Sequence, residues 1–173
     1  MNPAKLNDKF NNFADLVCVD LFTLADIDGK NQSFLNCVDK ASGYQLVAPV
    51  LGKRPDEVFQ VFNRTWLIPF GIPHHVLSDN GGEFDREFAD LTESLGSTIL
   101  RTASYAPTQN GTTERRGGAW KAHARAVMDE HSITFNTLAV AEHLCAAVNW
   151  AVNQDIDESG YSPAQWVLGR GLR

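Results

Sequence analysis

The chain has 173 residues and a mass of 19.1 kDa, enough for one domain with a core of its own and no need of a disulfide or metal staple. Its 43% hydrophobic and 21% charged residues exclude a disordered, collagenous or coiled-coil chain. No run of eighteen apolar residues would span a membrane, no basic-then-apolar start marks a signal peptide, and three cysteines without a CxxC pair argue against a zinc site or disulfide framework.

The net charge of −6 argues mildly against a nucleic-acid partner. Its distribution argues the other way. Residues 101–125 hold five cations (Arg101, Arg115, Arg116, Lys121, Arg125) against one acid, while the rest of the chain holds ten cations against twenty acids. Such a segment could meet a phosphate backbone, or could simply be a solvated helix face.

Residues 1–12 are polar, rich in asparagine, and read as a flexible leader; residues 13–173 read as one domain. The run DLVCVDLFT at 15–23 suits a buried strand, and Asp28-Gly29 a hairpin turn after it. Residues 33–38 and 44–50 are the second and third strands. Pro55-Asp56-Glu57 opens a helix whose Val58, Phe59, Phe62 and Trp66 share a face, and Pro69, Gly71 and Pro73 end it. Residues 76–78 form a short strand that stops at Asp79-Asn80-Gly81-Gly82. A helix over 84–95, a strand over 97–102 and a loop over 103–110 follow. A helix then runs from Gly111 to about residue 130, weakened by Gly117-Gly118, and another covers 136–153. Ser162 caps a last short helix. Three strands, helix, strand, helix, strand, then helices give an α/β fold: a mixed five-stranded sheet flanked by helices.

Three carboxylates stand out. Asp20 lies inside an apolar strand, where a charge is costly unless compensated, although a strand-end hydrogen bond or a solvent-facing position would also explain it. Asp79 ends an apolar strand before glycines, where a turn-forming role is the plain alternative. Glu114 falls in the first turn of a helix, where a dipole-complementing acid is common. If the three converge at one sheet edge, they offer hard oxygen ligands suited to Mg²⁺ or Mn²⁺. Two such ions about 3.5–4 Å apart can clamp an in-line phosphoryl displacement. Along the helix, Glu114, Gly118, Lys121 and Arg125 recur at helical spacing, a face suited to a DNA backbone beside a metal site; Trp120, His123, Ala124 and Val127 mark the other face. Lys121 and Arg125 could equally serve solubility, and Trp120 reads as core.

Five segments carry a specific resemblance: VCVDLF around Asp20, FLNCVDKASGY at 34–44, GIPHHVLSDNGGEF at 71–84, SYAPTQNGTTERRGGAWK at 104–121 and SPAQWVLGR at 162–170. With the 35-position interval from Asp79 to Glu114, the chain resembles the catalytic core of retroviral-type integrases, especially those of long-terminal-repeat retrotransposons. The resemblance implies a ribonuclease H-like fold and a two-metal polynucleotidyl transferase that processes DNA 3′-ends by phosphodiester hydrolysis and joins them to target DNA. It implies Asp20, Asp79 and Glu114 as catalytic metal ligands for two Mg²⁺ or Mn²⁺ ions. It also places Gln109 and Asn110 in a mobile active-site loop and Lys121 at a DNA contact. It further implies DNA as partner (element ends and target), a homodimer or higher multimer, and action in the nucleus, reached from the cytoplasm. The family's zinc-binding module and basic β-barrel are not encoded in these residues, so the chain reads as an isolated core or a reduced relative. A domesticated, non-catalytic dimerisation or partner-binding module is the alternative.

Overall fold

The structure, a computed structural model, describes residues 10–102, 111–156 and 160–169. Residues 1–9 of the expected leader and the loop residues Gln109 and Asn110 lie outside the described residues.

The first strand, β1 (Leu16–Ala25), is built by alternation. Val17 and Val19 face one side of the sheet, while Leu16, Cys18, Phe22 and Leu24 face the other. It pairs antiparallel with β2 (Asn31–Asp39), which pairs antiparallel with β3 (Gln45–Val50). The turn between β1 and β2 is held by Asp26, whose carboxylate accepts from Asp28 N at 3.0 Å, Lys30 N at 2.8 Å and Phe135 N at 2.6 Å. Beyond β1 come two parallel strands, β4 (His75–Ser78) and β5 (Thr98–Arg101), so the order is β3-β2-β1-β4-β5. This is the mixed five-stranded sheet expected from the sequence.

One face is covered by α1 (Pro55–Phe62), which runs through a π-helical turn at Asn63–Leu67 into a last turn, α2 (Ile68–Phe70), and by α3 (Arg86–Ser94). Pro69, expected to end the helix, sits inside that last turn, and the end comes at Gly71 with φ +84°. The widened turn one step earlier lets the chain accommodate a residue with no N–H. Trp66 is fully buried. The expected helix over 84–95 is split: Gly82–Phe84 forms a 3₁₀ turn and Asp85, extended at ψ 175°, precedes α3. The split lets Phe84 and Phe88 both reach the core, edge to face at 5.2 Å.

The other face carries α4 (Gly111–His131) and α5 (Leu138–Val152). Helix α4 is continuous through its two glycines. Its buried stripe is Thr113, Gly117, Trp120, Ala124 and Met128, so Trp120 belongs to the core as expected. His123, expected on the same face as Trp120, is exposed. A final helix, α6 (Pro163–Leu168), starts at Ser162 with a reciprocal capping box: Ser162 Oγ accepts from Gln165 N at 3.2 Å and Ser162 N donates to Gln165 Oε1 at 2.9 Å. Among the described residues, no helix is long and apolar enough to cross a membrane.

Candidate active site

Strands β1 and β4 run parallel, with Leu16, Val17 and Cys18 opposite His75, Val76 and Leu77. Two residues further along each chain stand Asp20 and Asp79. Neighbouring strands lie about 4.8 Å apart, so this register carries both acids side by side out of the carboxyl end of β4. Asp20 is still inside β1, half-buried, on the sheet face covered by α4; Asp79 is the first residue after β4. Burial pushes the Asp20 carboxyl up to about 6, with the negative charge of Asp79 adding to the effect and that of Glu83 contributing less. The Lys121 ammonium pulls it back down.

Asp79 keeps the turn role that its position suggests as well: its Oδ1 accepts from Gly81 N at 2.9 Å. A Cβ at Gly81 would stand 2.8 Å from Glu83 Oε2 and 3.0 Å from Asp79 Oδ1, so the two carboxylates converge on the space its missing side chain leaves. Arg101, at the end of β5, closes the loop from below. Its Nη1 donates to Asp79 O at 2.8 Å and Ser78 Oγ at 3.1 Å, and its Nη2 donates to Phe84 O.

Helix α4 brings Lys121 to this edge. Lys121 is half-buried, its Nζ 4.6 Å from the centroid of the Phe22 ring, two residues beyond Asp20. Glu114 is in the first turn of the helix, as expected, and its side chain is exposed. Arg125 is also exposed. Gly117 lies against Asn36 with room for an ordinary contact, and Gly118, expected beside the DNA, faces open space. The structure thus brings Asp20, Asp79 and Lys121 together. Among the described residues, no three acids, histidines or cysteines are already gathered as a group that could hold a metal ion.

Sequence reasoning missed three residues here. Glu83 and Arg101 take their roles from the path of the 79–84 loop. Asn36, directly opposite Asp20 in the β1–β2 ladder, is fully buried; its Oδ1 accepts from Gln45 Nε2 at 2.8 Å and its Nδ2 has no partner among the described residues. A polar residue inside the apolar run FLNCV was the available signal.

Asp20 and Asp79 are hard oxygen donors of the type a divalent cation takes, and the negative charges of Asp79 and Glu83 both act on Asp20, a repulsion such an ion would relieve; the described residues do not hold the three acids gathered around one point.

No protein-family model and no curated protein sequence matches the chain. Solved structures do. The HTLV-2 integrase catalytic core domain, determined with magnesium in a trimeric form, superposes with a TM-score of 0.74 at 19% identity over 90% of this chain and 97% of that one. The BIV integrase catalytic core gives 0.70 at 20% identity over 90% and 95%. A chain of the simian T-cell lymphotropic virus intasome, bound to PP2A regulatory subunit B56 gamma, gives 0.77 at 17% identity over 91% of this chain and 55% of that one. The sheet order, the helices on both faces and these superpositions agree: this chain has the ribonuclease H-like fold of a retroviral integrase catalytic core.

Proposed function

We propose that the chain is a divalent-metal-dependent polynucleotidyl transferase that hydrolyses DNA 3′-ends and transfers them to target DNA. The observation that carries this reading is that Asp20 and Asp79 each stand two residues beyond the last residues paired between β1 and β4, with the charges of Asp79 and Lys121 both acting on Asp20. Asp20, rigid on its strand, and Asp79, fixed by its turn, would hold Mg²⁺ or Mn²⁺, with Glu114 from α4 completing a two-ion set. Such ions, when bound, supply Lewis acidity: they lower the pKa of an attacking water or 3′-hydroxyl and stabilise the leaving oxygen. The chain's own residues do the positioning. Lys121 and Arg125 offer cations to the phosphodiester on the side of α4 that carries Glu114, while Trp120 anchors that helix to Phe22 and Phe34 at ring distances of 5.5 and 5.6 Å. Gln109 and Asn110 would contact the DNA from the preceding segment.

The related HTLV-2 core was determined with magnesium in dimeric and trimeric forms, and the simian relative within an intasome. By analogy, we assign this chain DNA ends of a long-terminal-repeat element as substrate, a multimer as working form and the nucleus as its place of action. The decisive experiment is a Mn²⁺-dependent strand-transfer and disintegration assay on element-end DNA, with Asp20→Asn and Asp79→Asn as controls. Wild-type activity lost in both variants supports the assignment; turnover that persists in either rejects the site.

A further inference from the structure

The Arg101 guanidinium is half-buried, and its hydrogen bonds among the described residues go to neutral oxygens. They belong to the two ends of one loop: Ser78 Oγ and Asp79 O where the chain leaves β4, and Phe84 O where it re-enters regular structure. Between those ends lie Asp79 and Glu83, the two acids whose charges press on Asp20. The strand pairing sets Arg101 opposite Ser78, and Thr102 N extends the ladder by donating to Ser78 O at 3.0 Å. A planar fork can bridge two separate carbonyls in fixed geometry; a point-charge ammonium cannot do so equally well.

We propose that Arg101 is a positioning residue for the carboxylate site: it staples both ends of the 79–84 loop so that the carboxylates of Asp79 and Glu83 stay gathered at Gly81 and the loop need not be ordered when a cation arrives. This role rests on the metal-site reading above. Without the staple, the acids remain in the chain, but their convergence at Gly81 depends on a loop free to open. Ion capture then bears the entropy of ordering it.

The test measures Mn²⁺ binding to the full 173-residue chain by electron paramagnetic resonance of the free ion, beside melting curves in chelator, for wild type, R101Q, R101K and the distant stability control Asn153→Ala. Loss of such a supporting hydrogen bond is expected to weaken Mn²⁺ binding about tenfold in R101Q. R101K should fall between, about threefold weaker than wild type. Asn153→Ala should melt lower and bind Mn²⁺ as wild type does, which separates positioning from general destabilisation. A folded R101Q that binds within about twofold of wild type overturns the proposal. If R101Q does not fold, R101K decides by the same measure: weakened binding supports the role and wild-type binding overturns it. A wild-type chain that binds no Mn²⁺ overturns the metal-site reading itself, and this role with it.

Discussion

Lys121 rests its ammonium 4.6 Å from the centroid of the Phe22 ring, within electrostatic reach of Asp20. A cation already occupies the approach to the carboxylates, so it opposes a second one. It is also the best-placed cation for a phosphate. These two roles predict effects of opposite sign in Lys121→Gln. Mn²⁺ affinity should rise about two- to fivefold, because one repulsive charge is gone. Binding to DNA should weaken, with the slope of log affinity against log salt reduced by about one. Calorimetry for the ion and a salt titration for DNA check both. A fall in both affinities would show that Lys121 holds the site together instead of competing at it.

The raised Asp20 carboxyl makes the metal-free chain pH-sensitive in a definite direction. Its folded value of about 6 lies above the ordinary 3.8, so between these the folded chain binds more protons than the unfolded one. Stability from this group therefore rises as pH falls from neutrality toward 4 and is lost as pH climbs through 6. The penalty at neutral pH is up to about 3 kcal/mol. Asp20→Asn removes it. In chelator, that variant should melt several degrees above wild type near neutral pH, and the gap should close by about pH 4. A variant less stable than wild type near neutral pH would mean that the charge is compensated by partners other than Lys121.

Much of this was readable from residue order, and the exceptions share a cause. Asp20 and Asp79 stood out because an apolar run marks each strand, and strand ends are rigid places to present a charge. The π-turn after Phe62 and the break at Asp85 were not readable, because Trp66, Phe84 and Phe88 set them by competing for one core. The helix carrying Glu114 was legible in its phase as well: Glu114, Gly118 and Arg125 are exposed and Trp120 and Ala124 are buried, and only His123 departs from the face expected of it, while Thr113, Gly117 and Met128 complete the buried stripe. Glu83 and Arg101 carried no periodic signal at all; only the folded loop joins them.

Glu114 separates ion capture from chemistry. Its side chain is exposed, and the charges acting most on Asp20 are those of Asp79, Lys121 and Glu83. Glu114→Gln should therefore keep the Mn²⁺ affinity of the free chain within about twofold, while Asp20→Asn and Asp79→Asn each lose about tenfold or more. Strand transfer should drop to background in all three. Equal loss of ion affinity in Glu114→Gln would place that carboxylate in the site before DNA binds.

Two apolar helices could have supplied a multimer face. The helix that buries Trp66 still exposes Ile68, and α5 exposes Trp150 to 48%. If α5 carries the contact, Trp150→Glu should weaken self-association by about 2 kcal/mol, roughly thirtyfold in Kd. Sedimentation over a concentration series measures it. An unchanged association constant would move the interface elsewhere.

The outer edge of the sheet is closed by side chains of α5 in place of another strand. Asn153 Oδ1 accepts from Gln45 N at 2.9 Å and its Nδ2 donates to Gln45 O at 2.7 Å; one helical turn earlier, Asn149 treats Val47 the same way, at 3.0 and 2.9 Å. Residues four apart on a helix face meet residues two apart on a strand, so each amide imitates a neighbouring strand and leaves no open edge. Asn153→Leu would strand a buried N–H and a buried carbonyl, costing about 2–4 kcal/mol. Urea unfolding should show a lower midpoint at an unchanged slope. Strand β3 lies two places from β1, so Mn²⁺ affinity of the folded variant should not change. A midpoint equal to wild type would mean that β3 finds other partners when the amide is removed.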